Sequence, residues 1–162
     1  MKIQPLSSEH WPAVKAIYEE GLATGNASFQ TSAPSWEDWD KSHRHIAVLS
    51  RSKVRQWRDG AALTPVSGRC VYAGVAEVSV YVAWDQRGKG IGKTLLEALV
   101  TASEANGIWT LQAGIFPENT ASIRLHEGAG FRQVGKREKI GKMGDRWRDT
   151  ILLEKRSETI GL

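Results

Sequence analysis

Residues 77–93 read EVSVYVAWDQRGKGIGK, and this stretch decides the fold. Its β-branched and aromatic residues are typical of a strand, which we expect to run from Val71 to Val82. A polar loop follows, and a helix begins at its end. Glycines let backbone amides approach a phosphate closely, and the first turn of a helix leaves its N–H groups unpaired. The unit therefore predicts a pyrophosphate site. The loop residues concerned are Arg87, Gly88, Lys89, Gly90, Ile91, Gly92 and Lys93.

Two common phosphate loops do not fit this spacing. A Walker A loop would require glycine at position 87, which is arginine, and the dinucleotide fingerprint would require glycine at position 93, which is lysine. What remains is the pattern Arg87-x-x-Gly90-x-Gly92 between a valine-rich strand and an amphipathic helix.

Hydrophobic spacing elsewhere predicts a mixture of helices and strands. The predicted helices cover about 9–22, 36–43, 91–105 and 119–127, and the predicted strands cover 45–49, 61–63, 71–82, 109–116, 131–134 and 147–153. Asp59-Gly60 predicts a turn in the stretch 51–60, which has no clear period. The order predicts an α+β fold, with a mostly antiparallel mixed sheet flanked by helices. We expect a single domain over residues 1–154 and a tail over 155–162.

Composition argues against several classes of function. The chain has 162 residues, of which 41% are hydrophobic, and no apolar run approaches the ~20 residues of a membrane span. The N-terminus lacks the apolar stretch of a signal peptide, so we expect a cytoplasmic protein without a membrane partner. The one cysteine, Cys70, is expected in the core. The scattered histidines predict no metal site. The net charge is +4, and its densest basic stretch, Lys136–Arg148, is interrupted by acidic residues, so we expect a solvated face without nucleic-acid binding.

A second motif adds a resemblance to a known family. Residues 119–131 read NTASIRLHEGAGF, and with the Arg87-x-x-Gly90-x-Gly92 loop they resemble the GNAT acetyltransferases. That resemblance implies the GNAT fold, acetyl-CoA as cosubstrate and transfer of acetyl to an amine. It also implies cofactor contacts beyond the loop, made by Val80, Tyr81, Val82, Asn119 and Ser122.

The likeness extends to the phosphinothricin acetyltransferase branch, which includes methionine sulfoximine and methionine sulfone acetyltransferases. It is carried by Ala76–Val82, Leu125-His126-Glu127, Trp147-Arg148-Asp149, Ala27-Ser28-Phe29 and Pro34-Ser35-Trp36. It departs at 51–60, where this chain has an unusual sequence. The resemblance implies a small amino-acid-like acceptor, a role in antibiotic or herbicide resistance, and a homodimer.

Acetyl transfer to an amine requires the free base, because an alkyl ammonium has a pKa of about 10.4. Glu77 lies on the strand that leads into the loop, and the resemblance implies that the glutamate at this position is the general base. It implies His126 as a group that helps the leaving thiolate. Arg69 precedes the Glu77 strand and is our candidate for the acceptor's carboxylate, with Phe29 and Tyr72 as pocket walls.

Other readings stay open at this point. One alternative acceptor is the amine of a polyamine or a protein N-terminus, and a protein that binds acetyl-CoA without catalysis is a further alternative. The presence of Glu77 argues against the non-catalytic reading.

Overall fold

The computed structural model describes residues 2–51 and 57–162, which form seven strands and four helices. The strands are β1 (Lys2–Pro5), β2 (Arg44–Arg51), β3 (Trp57–Pro65), β4 (Val75–Val82), β5 (Thr110–Ile115), β6 (Arg132–Met143) and β7 (Arg146–Arg156). The helices are α1 (Trp11–Ala23), α2 (Trp36–Ser42), α3 (Ile91–Ala105) and α4 (Thr120–Gly128). Of the atypical stretch 51–60, residues 52–56 lie outside the described residues.

The strands form one sheet in the order β1-β2-β3-β4-β5-β7-β6. Every neighbouring pair is antiparallel except β4 and β5, which run parallel. A parallel pair needs a crossover connection, and α3 supplies it between these two strands. The predicted mostly antiparallel mixed sheet flanked by helices is confirmed.

The main core lies between the sheet and α3. Leu95, Leu96 and Leu99 on one face of α3 are fully buried against Leu63 and Leu153 of the sheet. Leucines at this spacing occupy one helical face, as the sequence predicts. On the other side, a smaller cluster of Trp11, Trp39 and Ala62 packs α1 and α2 onto β3. β3 lies between the two clusters, because Ala61 and Leu63 belong to the main core and Ala62 to the smaller cluster.

Three predictions about local structure are wrong. Asp59-Gly60 is no turn, because both residues lie inside β3 and the buried Asp59 carboxylate accepts a hydrogen bond from the Ala83 N–H at 3.1 Å. The strand predicted from Val71 begins only at Val75, since Cys70–Tyr72 form a 3₁₀ turn. Cys70 is exposed on that turn and is no core residue.

The C-terminal hairpin is the largest difference from the sequence prediction. We expected short strands at 131–134 and 147–153, with a solvated basic face between them. Instead β6 and β7 form a long hairpin that contains most of the basic stretch. β7 runs past the expected boundary at residue 154, and Ser157 beyond it is buried and hydrogen-bonded to Glu104. Among the described residues, no helix has the length and apolar character to cross a membrane.

Candidate active site

β4 and β5 pair over their first residues and then diverge, and the gap between the two strands forms the candidate site. Their pairing covers Val75↔Thr110, Ala76↔Leu111 and Glu77↔Gln112 and ends there. β4 continues to Val82 along β3, while β5 continues to Ile115 along β7. Strand amides alternate in direction, so those of the 78–82 stretch that do not pair with β3 face the gap. The structure therefore offers backbone donors where the sheet opens.

The glycine loop lies at the mouth of this gap. Gly88 and Gly90 have φ of +74° and +76°, a conformation that only glycine adopts readily, and a Cβ on either would meet no atom within 4 Å. Gly90 caps the N-terminus of α3, whose first turn carries no acidic residue. The loop thus exposes backbone N–H groups at the positive end of a helix dipole, which suits an anion.

A cleft of about 540 Å³ follows the loop and the opened edge of β4. It brings together all but one of the residues predicted for the cofactor: Val80, Tyr81, Val82, Arg87, Gly88, Gly90, Ile91, Gly92, Lys93, Asn119 and Ser122. Lys89 is the exception, because its ammonium turns back to donate to the Asp85 carbonyl at 2.6 Å. A cleft with backbone amides and basic side chains at one end suits the pyrophosphate of a nucleotide.

A second cavity of about 460 Å³ lies beside this cleft, on the side of Glu77. Residues from both arms of the open sheet line it, including Glu77, Phe29 and His126. The cleft and the cavity have six lining residues in common: Asn26, Ala27, Val80, Tyr81, Asn119 and Ser122. The cleft and the cavity therefore meet where β4 and β5 separate.

Glu77 occupies the last paired position before the strands separate. Its side chain is half-buried, and Oε2 accepts a hydrogen bond from Gln112 Nε2 at 3.4 Å. Gln112 is its cross-strand neighbour on β5. The strand pairing thus fixes the carboxylate at the floor of the cavity, where it is available to an incoming polar group.

His126 is buried, with 3% of its surface exposed. Its Nδ1 lies 2.8 Å from the Ser122 carbonyl, which only accepts, so Nδ1 carries the proton. Burial lowers the pKa of His126 below 6.5 and outweighs the carbonyl's opposing effect. Nε2 is buried and has no hydrogen-bond partner among the described residues. The ring is therefore neutral and offers an acceptor at Nε2 rather than a proton.

Glycines shape the aromatic wall of the cavity. Phe29 contacts Phe116 edge-on at 4.9 Å between ring centroids, and a Cβ on Gly141 of β6 would lie 2.6 Å from the Phe29 ring. Tyr81 contacts Tyr18 edge-on at 4.7 Å, and a Cβ on Gly21 would lie 2.8 Å from its ring. Both rings are seated in spaces that a larger residue would close.

A buried arginine ties the β6–β7 hairpin to the loop after α1. Arg148 donates to the Gly25 carbonyl at 3.0 Å and to Asn26 Oδ1 at 2.9 Å, and its guanidinium lies 3.3 Å from Glu118 Oε2. Asn119 Nδ2 also donates to the Asn26 carbonyl, at 3.2 Å. Because Asn26 lines both cavities, Arg148 supports the wall between them.

Two predicted acceptor contacts lie elsewhere in the chain. Arg69 and Tyr72 are exposed on the 3₁₀ turn before β4, with the guanidinium of Arg69 5.8 Å from the Tyr72 ring centroid. Neither residue lines the cavity that holds Glu77. Of the predicted acceptor residues the structure therefore brings only Phe29 to the cavity.

Among the described residues, the cavity is lined by one guanidinium, that of Arg137 of β6, which sequence reasoning missed. It lies in the basic stretch that we expected to be solvated. No local pattern marks it, because its place depends on the β6–β7 register, which pairs Arg137 with Thr150. Gly141, in an otherwise charged stretch, is the sequence signal that β6 packs closely there, since a Cβ on it would lie 2.6 Å from the Phe29 ring.

Comparison with known proteins agrees with this geometry. A model of the acetyltransferase (GNAT) domain matches residues 63–152, more than half of the chain. The chain belongs to the GNAT family. This GNAT chain is 34% identical over 161 residues to a phosphinothricin N-acetyltransferase of Alcaligenes faecalis, covering 94% of the chain and 81% of that protein.

Two further similarities concern the cofactor and the branch. An L-methionine sulfoximine/L-methionine sulfone acetyltransferase of Pseudomonas paraeruginosa is 37% identical over 107 residues, which cover 66% of this GNAT chain and 57% of the relative. A solved GNAT phosphinothricin acetyltransferase of Sinorhizobium meliloti, in complex with AcCoA, has a TM-score of 0.85 at 26% identity, covering 96% of the chain and 87% of that protein. The protein is an acetyl-CoA-dependent N-acetyltransferase.

Proposed function

We propose that the enzyme transfers acetyl from acetyl-CoA to the amine of a small amino-acid-like acceptor. The proposed acceptors are of the phosphinothricin, methionine sulfoximine or methionine sulfone type, which the named relatives act on. The observation that carries the proposal is the position of Glu77, in a cavity that shares one wall with the cofactor cleft.

The shared wall supports a direct reaction between two bound substrates. Acetyl-CoA lying in the cleft presents its thioester at the parting of the strands, and the acceptor reaches it from the cavity. The nitrogen attacks the carbonyl carbon, the N–C bond forms and the C–S bond breaks. The β4 amides that face the gap stabilise the negative charge that develops on the carbonyl oxygen.

Glu77 is the proposed general base. A bound ammonium must lose one proton before it attacks, and the Glu77 carboxylate accepts it directly or through a water molecule. The thiolate leaves with the electron pair of the C–S bond, and the second proton that the nitrogen loses as the amide forms goes to this thiolate or to solvent. A thiol has a reference pKa of about 8.5, so the thiolate leaves without needing a strong acid.

His126 receives a different role from the one we expected. A buried ring that is neutral, with its proton held on Nδ1 by the Ser122 carbonyl, is a poor proton donor. We propose that His126 supports the wall of the cavity and offers Nε2 as an acceptor, instead of protonating the thiolate.

The lone cysteine gives no support to an acetyl-enzyme route. Cys70 is exposed on the turn before β4 and lines neither the cleft nor the cavity. Since a thiol there lies outside both spaces, direct transfer is the simpler mechanism.

A homodimer stays a prediction, and the hairpin supports it. β6 is an edge strand of the sheet, and the hairpin exposes Val134, Ile140 and Trp147, the last with 56% of its surface accessible. An open strand edge with apolar side chains favours pairing with another chain. Cytoplasmic location, a role in resistance and the division into 1–154 and 155–162 stay predictions as well.

An acceptor panel tests the proposed function. Purified protein with acetyl-CoA is assayed for thiol release with phosphinothricin, methionine sulfoximine, methionine sulfone, ordinary amino acids, spermidine and short peptides. Turnover confined to the first three supports the proposal. Turnover with spermidine or peptides alone contradicts the acceptor class, and binding of acetyl-CoA without turnover of any amine favours the non-catalytic alternative.

A further inference from the structure

The proposed proton transfer leaves one charged residue of the cavity, Arg137, without a role. Its guanidinium lies in the cavity with Glu77, close to the bare α-carbon of Gly114 on β5. A Cβ on Gly114 would lie 2.9 Å from Arg137 Nη2 and 3.9 Å from Glu77 Oε1. The cationic and anionic groups are thus neighbours across one small space.

The guanidinium is held at one end and free at the other. Its Nε donates to the Oγ1 of the buried Thr150 at 3.3 Å, which directs the side chain across the sheet. No carboxylate of a described residue lies within 4.0 Å of it, Glu77 included, although other basic side chains of the hairpin have such partners. Those paired residues are Arg132, Lys136, Lys142 and Arg148.

We infer that Arg137 binds the α-carboxylate of the acceptor while Glu77 takes the proton from its α-amine. An α-amino acid carries these opposite charges on two groups bonded to the same carbon atom, and the cavity presents the complementary charges close to each other, both near Gly114. A guanidinium offers two parallel N–H donors to a carboxylate, and such charge-assisted pairs are strong and directional. The inference rests on the proposed function and names the residue that selects the acceptor.

The same cation excludes other amines. A polyamine brings several positive charges and no carboxylate, so Arg137 repels it and gains no partner from it. An amino acid whose carboxylate is blocked as an amide keeps the reactive amine but loses the ionic contact. Arg137 therefore distinguishes acids from amides, while Glu77 is needed for both.

The test compares one acceptor in two forms, L-methionine sulfone and its carboxamide. We expect Arg137→Gln to lower kcat/KM for the acid by about 10- to 100-fold, mainly through KM, because an unpaired carboxylate then remains in the site. The amide should change by less than about twofold, and the KM for acetyl-CoA should stay the same. Arg132→Gln on the same strand removes one positive charge outside the cavity and is the matched control.

A second variant keeps the charge and moves it. Gly114→Ala places a methyl group where the Arg137 guanidinium lies, so we expect the same selective loss for the acid. Equal losses for acid and amide would indicate a merely structural residue and overturn the inference, as would no loss in Arg137→Gln. Wild-type turnover of spermidine or peptides but of no amino acid would instead refute the proposed function, before any variant is compared.

Discussion

Glu77 is half-buried and has one hydrogen bond among the described residues, from Gln112, so its carboxylate is available to a substrate. We predict that Glu77→Gln lowers kcat by about 10²–10⁴-fold, the usual contribution of a general base, without changing the KM for acetyl-CoA. Glutamine keeps the shape and loses the ability to accept the proton. Steady-state kinetics measure both constants, and Glu19→Gln on the exposed face of α1 is the control. A kcat within threefold of wild type would remove Glu77 from the mechanism.

The protonation of His126 is expected to affect the free energy of unfolding. Burial lowers its folded-state pKa below 6.5, so at acid pH the unfolded chain binds a proton that the folded chain does not. We predict that the free energy of unfolding is fully supported above about pH 6.5 and falls as the pH drops towards the folded pKa. Urea titrations from pH 8 to 5 measure this slope.

His43 contributes to the same slope, because burial against Trp39 lowers its pKa too. Replacing either histidine with glutamine should reduce the pH dependence of the unfolding free energy by that residue's contribution, and replacing both should reduce it further. An unchanged slope in His126→Gln would show that the ring takes up its proton equally in both states.

At the scale of elements, the β6–β7 hairpin is fastened to the loop after α1 by Arg148. Arg148→Met removes hydrogen bonds to Gly25 and Asn26, and we predict a loss of about 2–3 kcal/mol in unfolding free energy. The KM for acetyl-CoA should rise several-fold, because Asn26 and Glu118 line the cleft. Thermal melts and kinetics report the two effects. Arg146→Met, an exposed neighbour on β7, should stay within about 0.5 kcal/mol of wild type.

The elements also show what the sequence can and cannot predict. α3, β4 and the glycine loop follow from local rules, namely leucine spacing, β-branched residues and glycines before a helix. The hairpin does not, because charged residues such as Lys136 and Arg137 favour solvent and only the pairing with β7 makes them a strand. Arg137 was missed and Arg69 was preferred for the same reason. Nearness in sequence to Glu77 is visible in a single chain, whereas cross-strand register is not.

The whole molecule consists of two half-sheets, β1–β4 and β5–β7–β6, joined by three residue pairs and by the helices. The cleft is lined by β4 on one side and by α4, which follows β5 in the chain, on the other, so a molecule lying there contacts elements attached to both halves. We predict that acetyl-CoA at about 100 times its Kd stabilises the fold by about 2.7 kcal/mol. Differential scanning fluorimetry measures the rise in Tm, with desulfo-coenzyme A separating the nucleotide contribution from that of the thioester. If the Tm did not rise at saturating acetyl-CoA, the ligand would not bind the folded protein in preference to the unfolded chain, and the prediction would be wrong.

The separation of β4 and β5 has a further consequence, in solvent isotope exchange. Amide protons between Val78 and Val82 that face the gap have no partner strand, so they exchange without any unfolding of the sheet. Their alternate neighbours pair with β3 and exchange only when the sheet opens. In the apoprotein, deuterium uptake along this strand should therefore alternate between fast and slow from one residue to the next. Bound acetyl-CoA should slow uptake at the fast amides wherever its carbonyl groups accept hydrogen bonds from them.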